Sequence, residues 1–250
     1  MLHSTMLHST LKRLARLGGL LLVRQHHAGA RYLEHPPGNT FEDVLFRTFP
    51  DLHSLNFLQV GANDGRRADP IASLIDTYGW SGLMLEPLPV NFSELQRHRG
   101  ADPRLQLRQV AIDATAGRRP LYDLQPDLPG LPDWARGLAS FSRERLVTAS
   151  RELGLDERAI IATDIITTTW TEVWHEFGPR RCDVLVIDAE GHDISLLRLA
   201  GLATHRPRVI HFEHACADVA ERLGFYRELL ELGYELATYQ GDTIARLPAP

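Results

Sequence analysis

The chain has 250 residues, of which 44% are hydrophobic and 24% charged, with a net charge of -5 at pH 7. That balance fits one globular domain with a sizeable core and argues against a general nucleic-acid binder, whose phosphate-neutralising face must be basic. Two cysteines, Cys182 and Cys216, lack metal-ligand spacing and read as small buried hydrophobes in a reducing, cytoplasmic compartment.

Met1 to Thr5 is repeated as Met6 to Thr10, and a basic stretch from Leu11 leads into an apolar run ending at Val23. The run is too short to span a bilayer, so no transmembrane segment is expected. Residues 1–38 read as a basic amphipathic or disordered extension, with a secretory signal ending near Ala28-Gly29-Ala30 as the alternative. Residues 39–250 then form the domain, and nothing in the pattern sets its oligomeric state.

Thr40, with Asp43 three residues on, predicts a capped helix carrying Phe41, Val44 and Leu45 on one face. Phe57 to Val60 is a short apolar run that opens into Gly61-Ala62-Asn63-Asp64-Gly65, a loop where the backbone can approach a ligand closely. Asp69 is expected to cap a helix bearing Ile71, Leu74, Ile75 and Tyr78, closed by Gly79. A dinucleotide site would start its helix inside the glycine motif, and the acidic cap here disfavours a pyrophosphate. A second run, Leu83 to Leu85, ends in Glu86, placed to grip the hydroxyls of a ribose. Pro87 and Pro89 lead into a helix ended by Gly100, and a third strand is expected over Leu105 to Ile112. This βαβαβ order predicts a parallel sheet.

Between Ala114 and Gly154 the pattern weakens. Leu121-Tyr122 reads as a short strand, Pro126 to Gly137 with Trp134 as irregular chain, and Ser142 as the cap of a helix. The segment is either a surface excursion with a small core of its own or a lid over substrate. Ile160 to Thr168 is β-branched and extended. Thr169 and Glu172 form a capping box over a helix whose Trp170, Val173, Trp174 and Phe177 face the core. Asp183 to Asp188 and Val209 to His214 are further strands, each ending in polar residues. Asp218 and Glu221 cap the last helix, and two extended runs about Gly241-Asp242 predict a closing hairpin.

Ligands of such sheets bind beyond the carboxyl ends of the strands. Asn63, Asp64, Glu86, Asp113, Asp188, Glu190, His192, Glu213 and His214 all fall there. The ordered set from Val60 to Gly65, Leu85-Glu86-Pro87, Val110-Ala111-Ile112, Ile187-Asp188-Ala189-Glu190-Gly191-His192-Asp193, Phe212-Glu213-His214 and Gly233-Tyr234 resembles the FkbM family of S-adenosylmethionine-dependent methyltransferases. Gln59, where many class I enzymes are acidic, and Asn63, in place of a glycine, depart from the generic loop but stay within this family's pattern.

The resemblance implies an α/β, Rossmann-like class I methyltransferase fold: a seven-stranded, mostly parallel, doubly wound sheet with a C-terminal antiparallel hairpin. It implies S-adenosyl-L-methionine as cofactor. Gly61, Ala62, Asn63, Asp64 and Gly65 would cradle its methionine and ribose, Glu86 with Pro87 the ribose hydroxyls, and Ala111, Ile112 and Asp113 the adenine, with Asp188 at the edge. It further implies methyl transfer to a hydroxyl of a small molecule, sugar or glycan. His192 would then be the base, with a water-facing helix residue as its bland alternative. Asp188 and Glu190 would position the hydroxyl, with Glu213 or His214 across the pocket; a divalent metal between Asp188 and Glu213 is a further alternative. A nicotinamide-dependent oxidoreductase and a non-catalytic S-adenosylmethionine-binding module are the rival functions.

Overall fold

The computed structural model describes residues 40–125, 128–132, 135 and 138–248. The expected extension and the expectations for Pro126, Trp134 and Gly137 lie outside the described residues. The described chain opens with the predicted capping box: Thr40 Oγ1 accepts the Asp43 N–H and the Asp43 carboxylate accepts the Thr40 N–H, at 3.3 and 3.2 Å. Helix α1 (Phe41–Thr48) follows, and β1 (Asn56–Val60), α2 (Ala72–Tyr78), β2 (Ser81–Leu85), α3 (Pro89–Arg99) and β3 (Leu105–Arg108) continue the expected alternation. After the central segment come α5 (Trp170–Phe177), β8 (Val184–Ile187), α6 (Asp193–Leu199), α7 (Leu202–His205), β9 (Val209–Glu213), α8 (Val219–Glu231), β10 (Glu235–Tyr239) and β11 (Asp242–Arg246).

The main sheet has seven strands in the order β10-β11-β9-β8-β1-β2-β3. Its first five in sequence are parallel, and β11 enters antiparallel between β9 and β10. This is the doubly wound sheet with a terminal hairpin that the resemblance implies. Because side chains alternate across a strand, each strand feeds two cores. Leu58, Leu83, Leu85 and Leu185 face one core, with α5, α6 and α8. Phe57, Met84, Val184 and Val186 face the other, with α1, α2 and α3. The aromatic stripe of α5 is core, as expected: the Trp170 and Trp174 indoles donate to the Leu196 and Ala200 carbonyls at 2.8 and 2.9 Å.

Four local expectations need correction. The third strand does not run unbroken to Ile112. It leaves the main sheet after Arg108, and Ala111–Ile112 (β4) pairs instead with β7 (Ile160–Thr168) of a second sheet. An edge strand has no further partner to hold its end, and the strict alternation of Leu105 to Arg108 breaks at Gln109, where the jump occurs. Leu121-Tyr122 belongs to an eight-residue strand, β5 (Gly117–Leu124), antiparallel to β7, with β6 (Ala139–Ser140) at its far edge. Helix α2 starts at Ala72 rather than just after Asp69, although Asp69 Oδ1 still takes the Ile71 N–H at 2.8 Å. The closing turn falls on Gln240-Gly241, since Tyr239 pairs with Asp242.

The central segment has a small core of its own in Leu124, Leu131, Leu138 and Leu146. Ser142 caps helix α4 (Arg143–Glu152) as expected, its Oγ accepting the Arg145 N–H. Among the described residues no helix is long and apolar enough to cross a membrane.

Candidate active site

Strand order reverses at β1, which has β2 on one side and β8 on the other. Their connections run to opposite faces, and a crevice opens beyond the strand ends. Gly61 leaves β1 there with φ +77, and its N–H and that of Ala62 both donate to the Leu85 carbonyl, at 2.9 and 3.0 Å. A Cβ on Gly61 would stand 1.8 Å from the Asp188 carbonyl oxygen, so the β1 and β8 exits touch through bare backbone.

Two cavities meet at this point and share Gly61, Asp188 and Glu190. The larger, about 910 Å³, mixes apolar walls with most of the charged side chains of the crevice. Gln59, Gly61, Asp188, His211 and Glu213 line it from alternate positions of β1, β8 and β9 and just beyond, with Asp242 of β11, and Arg145, Thr148 and Glu152 of α4 roof it. The central segment therefore has both a core of its own and a face over the crevice. The smaller cavity, about 80 Å³, is mainly apolar and is lined by Ala111, Ile112, Leu121, Phe141 and Leu196, with Glu86 and Pro87 at one side and His192 at another.

Glu86 is 4% exposed. Its carboxylate accepts the Asn63 and Leu88 N–H groups, each at 2.9 Å. Burial nonetheless raises its pKa to about 7. Asp188 is open to the crevice, and desolvation by the walls around it, then the charges of Glu213 and Asp242, pushes it to about 6. Glu190 rises further, to about 8, through burial and then its neighbours Asp188 and Glu213, with Arg145 opposing from 3.6 Å. The Glu190 backbone is also left-handed, at φ 48, a conformation that costs energy outside glycine.

Not every expected residue faces this crevice. Gly61, Ala62 and Asn63 line the large cavity, whereas Asp64 and Gly65 turn toward α3. Asp64 accepts the Arg66 and Arg67 N–H groups, and Gly65 passes its carbonyl to Arg99 at 3.0 Å. Asp113 holds the Arg119 guanidinium at 2.5 Å, and Arg119 in turn lies over the Phe141 ring. His192 is half-buried and lines the small cavity rather than the large one. Its ring meets Phe141 edge-on, with Nε2 3.2 Å from Ser140 Oγ, and burial followed by the Arg145 charge lowers its pKa. His214 is buried, with Nδ1 2.9 Å from Thr243 Oγ1, whose hydroxyl also meets Tyr226. Cys182 is buried as expected, but Cys216 is exposed and lies 2.6 Å from Arg145. Among the described residues no group of three or more His, Cys, Asp or Glu is arranged to hold a metal ion.

Several residues of the site were not singled out from sequence. His211 follows from the strand period of two that relates it to Glu213, just as Gln59, noted from sequence only as a departure from the generic loop, is related to Gly61. Arg145 and Glu152 come from the polar face of a helix with no local signal of contact. Asp193 is the most consequential. Buried at the start of α6, it accepts the Ala189 and Gly191 N–H groups through Oδ2 at 3.3 and 3.2 Å, and the Glu213 N–H through Oδ1 at 3.2 Å. It thus ties the Glu190 loop to the end of β9, and burial raises its pKa well above the ordinary value. Asp193→Asn turns an amide N–H against a backbone donor and is expected to cost about 1–3 kcal/mol in urea unfolding. Faster hydrogen exchange at Ala189, Gly191 and Glu213 would accompany it.

Comparison with known proteins follows this geometry. Residues 59–236 match the methyltransferase FkbM domain. Among solved structures, the chain resembles a methyltransferase FkbM from Methylobacillus flagellatus KT, with 13% identity over 85% of this chain and 48% of that one, and a TM-score of 0.50. It therefore spans about half the length of that protein. The N-terminal domain of human METTL16 in complex with SAH aligns at 9% identity over 97% of this chain and 82% of that one, with a TM-score of 0.45. No curated protein matches the chain. The match over residues 59–236 spans the crevice and most of the strands that build it, and by it the chain belongs to the methyltransferase FkbM domain family.

Proposed function

We propose that this protein transfers a methyl group from S-adenosylmethionine to a hydroxyl of a small molecule or glycan. The observation that carries the reading is the meeting of a small apolar cavity and a large acidic one at Gly61, Asp188 and Glu190. The residues suit the cofactor part by part. Ile112, Phe141 and Leu196 offer apolar walls for a flat purine, and Ala111 completes that side. Glu86 beside the small cavity accepts two backbone N–H groups and has the Asn91 side chain near it, and its carboxylate remains the acceptor for the ribose hydroxyls. Gln59 Oε1 and Asn63 Oδ1 are buried without a donor beside the Gly61 loop, a place for the ammonium of an amino acid. When bound, the cofactor supplies an electrophilic methyl on a sulfonium, which the acidic surroundings favour.

The chain's own residues then orient the acceptor and take its proton. Glu190 lies at the junction of the two cavities, and a carboxylate with a pKa near 8 is a far better proton acceptor than an ordinary one. We assign it the role of base in preference to His192, which lies against Ser140 and Phe141. Arg145 holds the Glu190 carboxylate in place, and Asp193 fixes its loop. No step requires a metal.

Calorimetric titration with S-adenosylhomocysteine tests the reading. The protein is expected to bind it and to give no heat with NADH, the ligand of the rival oxidoreductase. Glu86→Gln is expected to weaken that binding about 10–100-fold, the loss of charged hydrogen bonds to two hydroxyls. A folded protein without affinity for S-adenosylhomocysteine would rule the proposal out.

A further inference from the structure

Among the described residues, eight buried side-chain polar atoms lack a hydrogen-bond partner. Six of them, Gln59 Oε1, Asn63 Oδ1, Asp69 Oδ2, Glu213 Oε2, Arg145 Nε and His211 Nδ1, belong to residues that line the large cavity. Unmet hydrogen-bonding capacity is costly when buried and is normally rare. Its concentration along one cavity is where a polar ligand finds the most hydrogen-bonding partners. Gln59 is the clearest instance, at 2% exposure with its amide oxygen unpartnered.

The signs are unequal. Four of the six atoms are oxygens that can only accept. The charges lean the same way. Beyond Asp188 and Glu190, the lining includes Asp69, Glu152, Glu213 and Asp242, against two arginines. Both arginines are already matched: Arg67 lies 2.6 Å from Asp64, and Arg145 meets Glu190. With Gln59 and Asn63 assigned to the cofactor, the carboxyls of Asp69, which the Gln59 side chain approaches, and of Glu213, which Cys216 approaches, stand with Glu152 and Asp242 around the rest of the cavity.

We propose that the methyl acceptor is an amine-bearing polyol, an amino sugar or amino alcohol, whose ammonium is received by the carboxylates of this cavity. This rests on the methyltransferase reading and narrows it. Hydroxyl donors of the same molecule meet the remaining oxygens, while Arg145 Nε and His211 Nδ1 can serve its oxygens in turn. A neutral sugar supplies the donors without the charge. A phosphorylated or carboxylated acceptor brings like charge into a site with no free cation among the described residues, and like charges set against each other in an interface are strongly disfavoured.

The test is calorimetry on the full chain. S-adenosylhomocysteine is titrated first; the loaded protein is then titrated with kanamycin A, trehalose or glucuronate at low salt. Kanamycin A is expected to bind at least about tenfold more tightly than trehalose, with no binding of glucuronate. Glu152→Gln, at an exposed position on α4, and Glu213→Gln are each expected to weaken kanamycin A about fivefold. Glu152→Gln is expected to leave the affinity for S-adenosylhomocysteine as it was, which separates local charge from misfolding. Equal binding of trehalose, preference for glucuronate, no binding of any of the three, or indifference to both variants overturns the inference. Absence of S-adenosylhomocysteine binding in the first titration overturns the methyltransferase reading instead, and this inference with it.

Discussion

Gly61→Ala is expected to remove about 4 kcal/mol or more of folding stability, among the largest effects a single substitution has. Two costs combine. At φ +77 any side chain is strained, a penalty of about 1–2 kcal/mol. The larger cost is steric, because the new methyl carbon would sit 1.8 Å from the Asp188 carbonyl oxygen, which is backbone and has no rotamer to retreat into. Relief requires β1 and β8 to part at their exits, where Asp188 N–H donates to the Val60 carbonyl at 3.0 Å and the central core lies directly behind. Gly154→Ala isolates the first cost. Its φ is +68, but nothing lies within 4 Å of the added carbon, so a loss of about 1–2 kcal/mol is expected. Urea unfolding of the two variants beside the parent protein measures the difference. Equal losses would mean that the approach of Gly61 to Asp188 is not the constraint described here. A domain of ordinary stability, about 5–15 kcal/mol, has little room for the larger loss.

That contact also explains which parts of the site can be read without a structure. A buried parallel strand is apolar over most of its length and stops where its backbone turns, so Val60-Gly61, Leu85-Glu86 and Ile187-Asp188 announce both the strand and the functional residue that ends it. The alternation of side chains then carries information that a scan for motifs overlooks. His211 and Glu213 share a face with Gln59 and reach the crevice, while His214, one residue on, turns into the core toward Thr243. The histidine named from its place in the motif is structural, and the one two residues before Glu213 lines the site. Contacts made across the chain are harder. Arg145 belongs to a short helix whose polar face looks like any solvated surface, and its partners Glu190 and Cys216 lie in loops far along the sequence. The second sheet is hidden for a related reason. The alternation of Leu105 to Arg108 is interrupted by Gln109 where the chain leaves the sheet, but one misplaced polar residue also fits a bulge, and the pairing of Ala111 and Ile112 with Thr167 and Thr168 reveals the departure.

Glu190→Gln is expected to lower methyl transfer by about 10²–10⁴-fold, the contribution of a positioned general base. The amide keeps the size of the side chain and the neighbourhood of Arg145 but cannot accept the hydroxyl proton. If Glu190 acts as argued, the rate with the parent enzyme rises with pH through about 8, where its carboxyl ionises, and that rise disappears in the variant. A rise that survives the substitution would transfer the role elsewhere. A second consequence needs no acceptor at all. The folded pKa of Glu190 is raised from 4.5 to about 8, so the folded protein holds a proton that the unfolded chain has already released across that window. Linkage then makes this carboxyl cost stability as pH climbs from about 4.5, with the full cost present above about 8 and none below 4.5. Glu190→Gln removes the titrating group. Its melting temperature relative to the parent is therefore expected to increase from pH 5 to about 8 and to level off above that, in the absence of ligand. Parallel melting curves for the two proteins across that range would show that Glu190 does not carry the raised pKa on which its role as base depends.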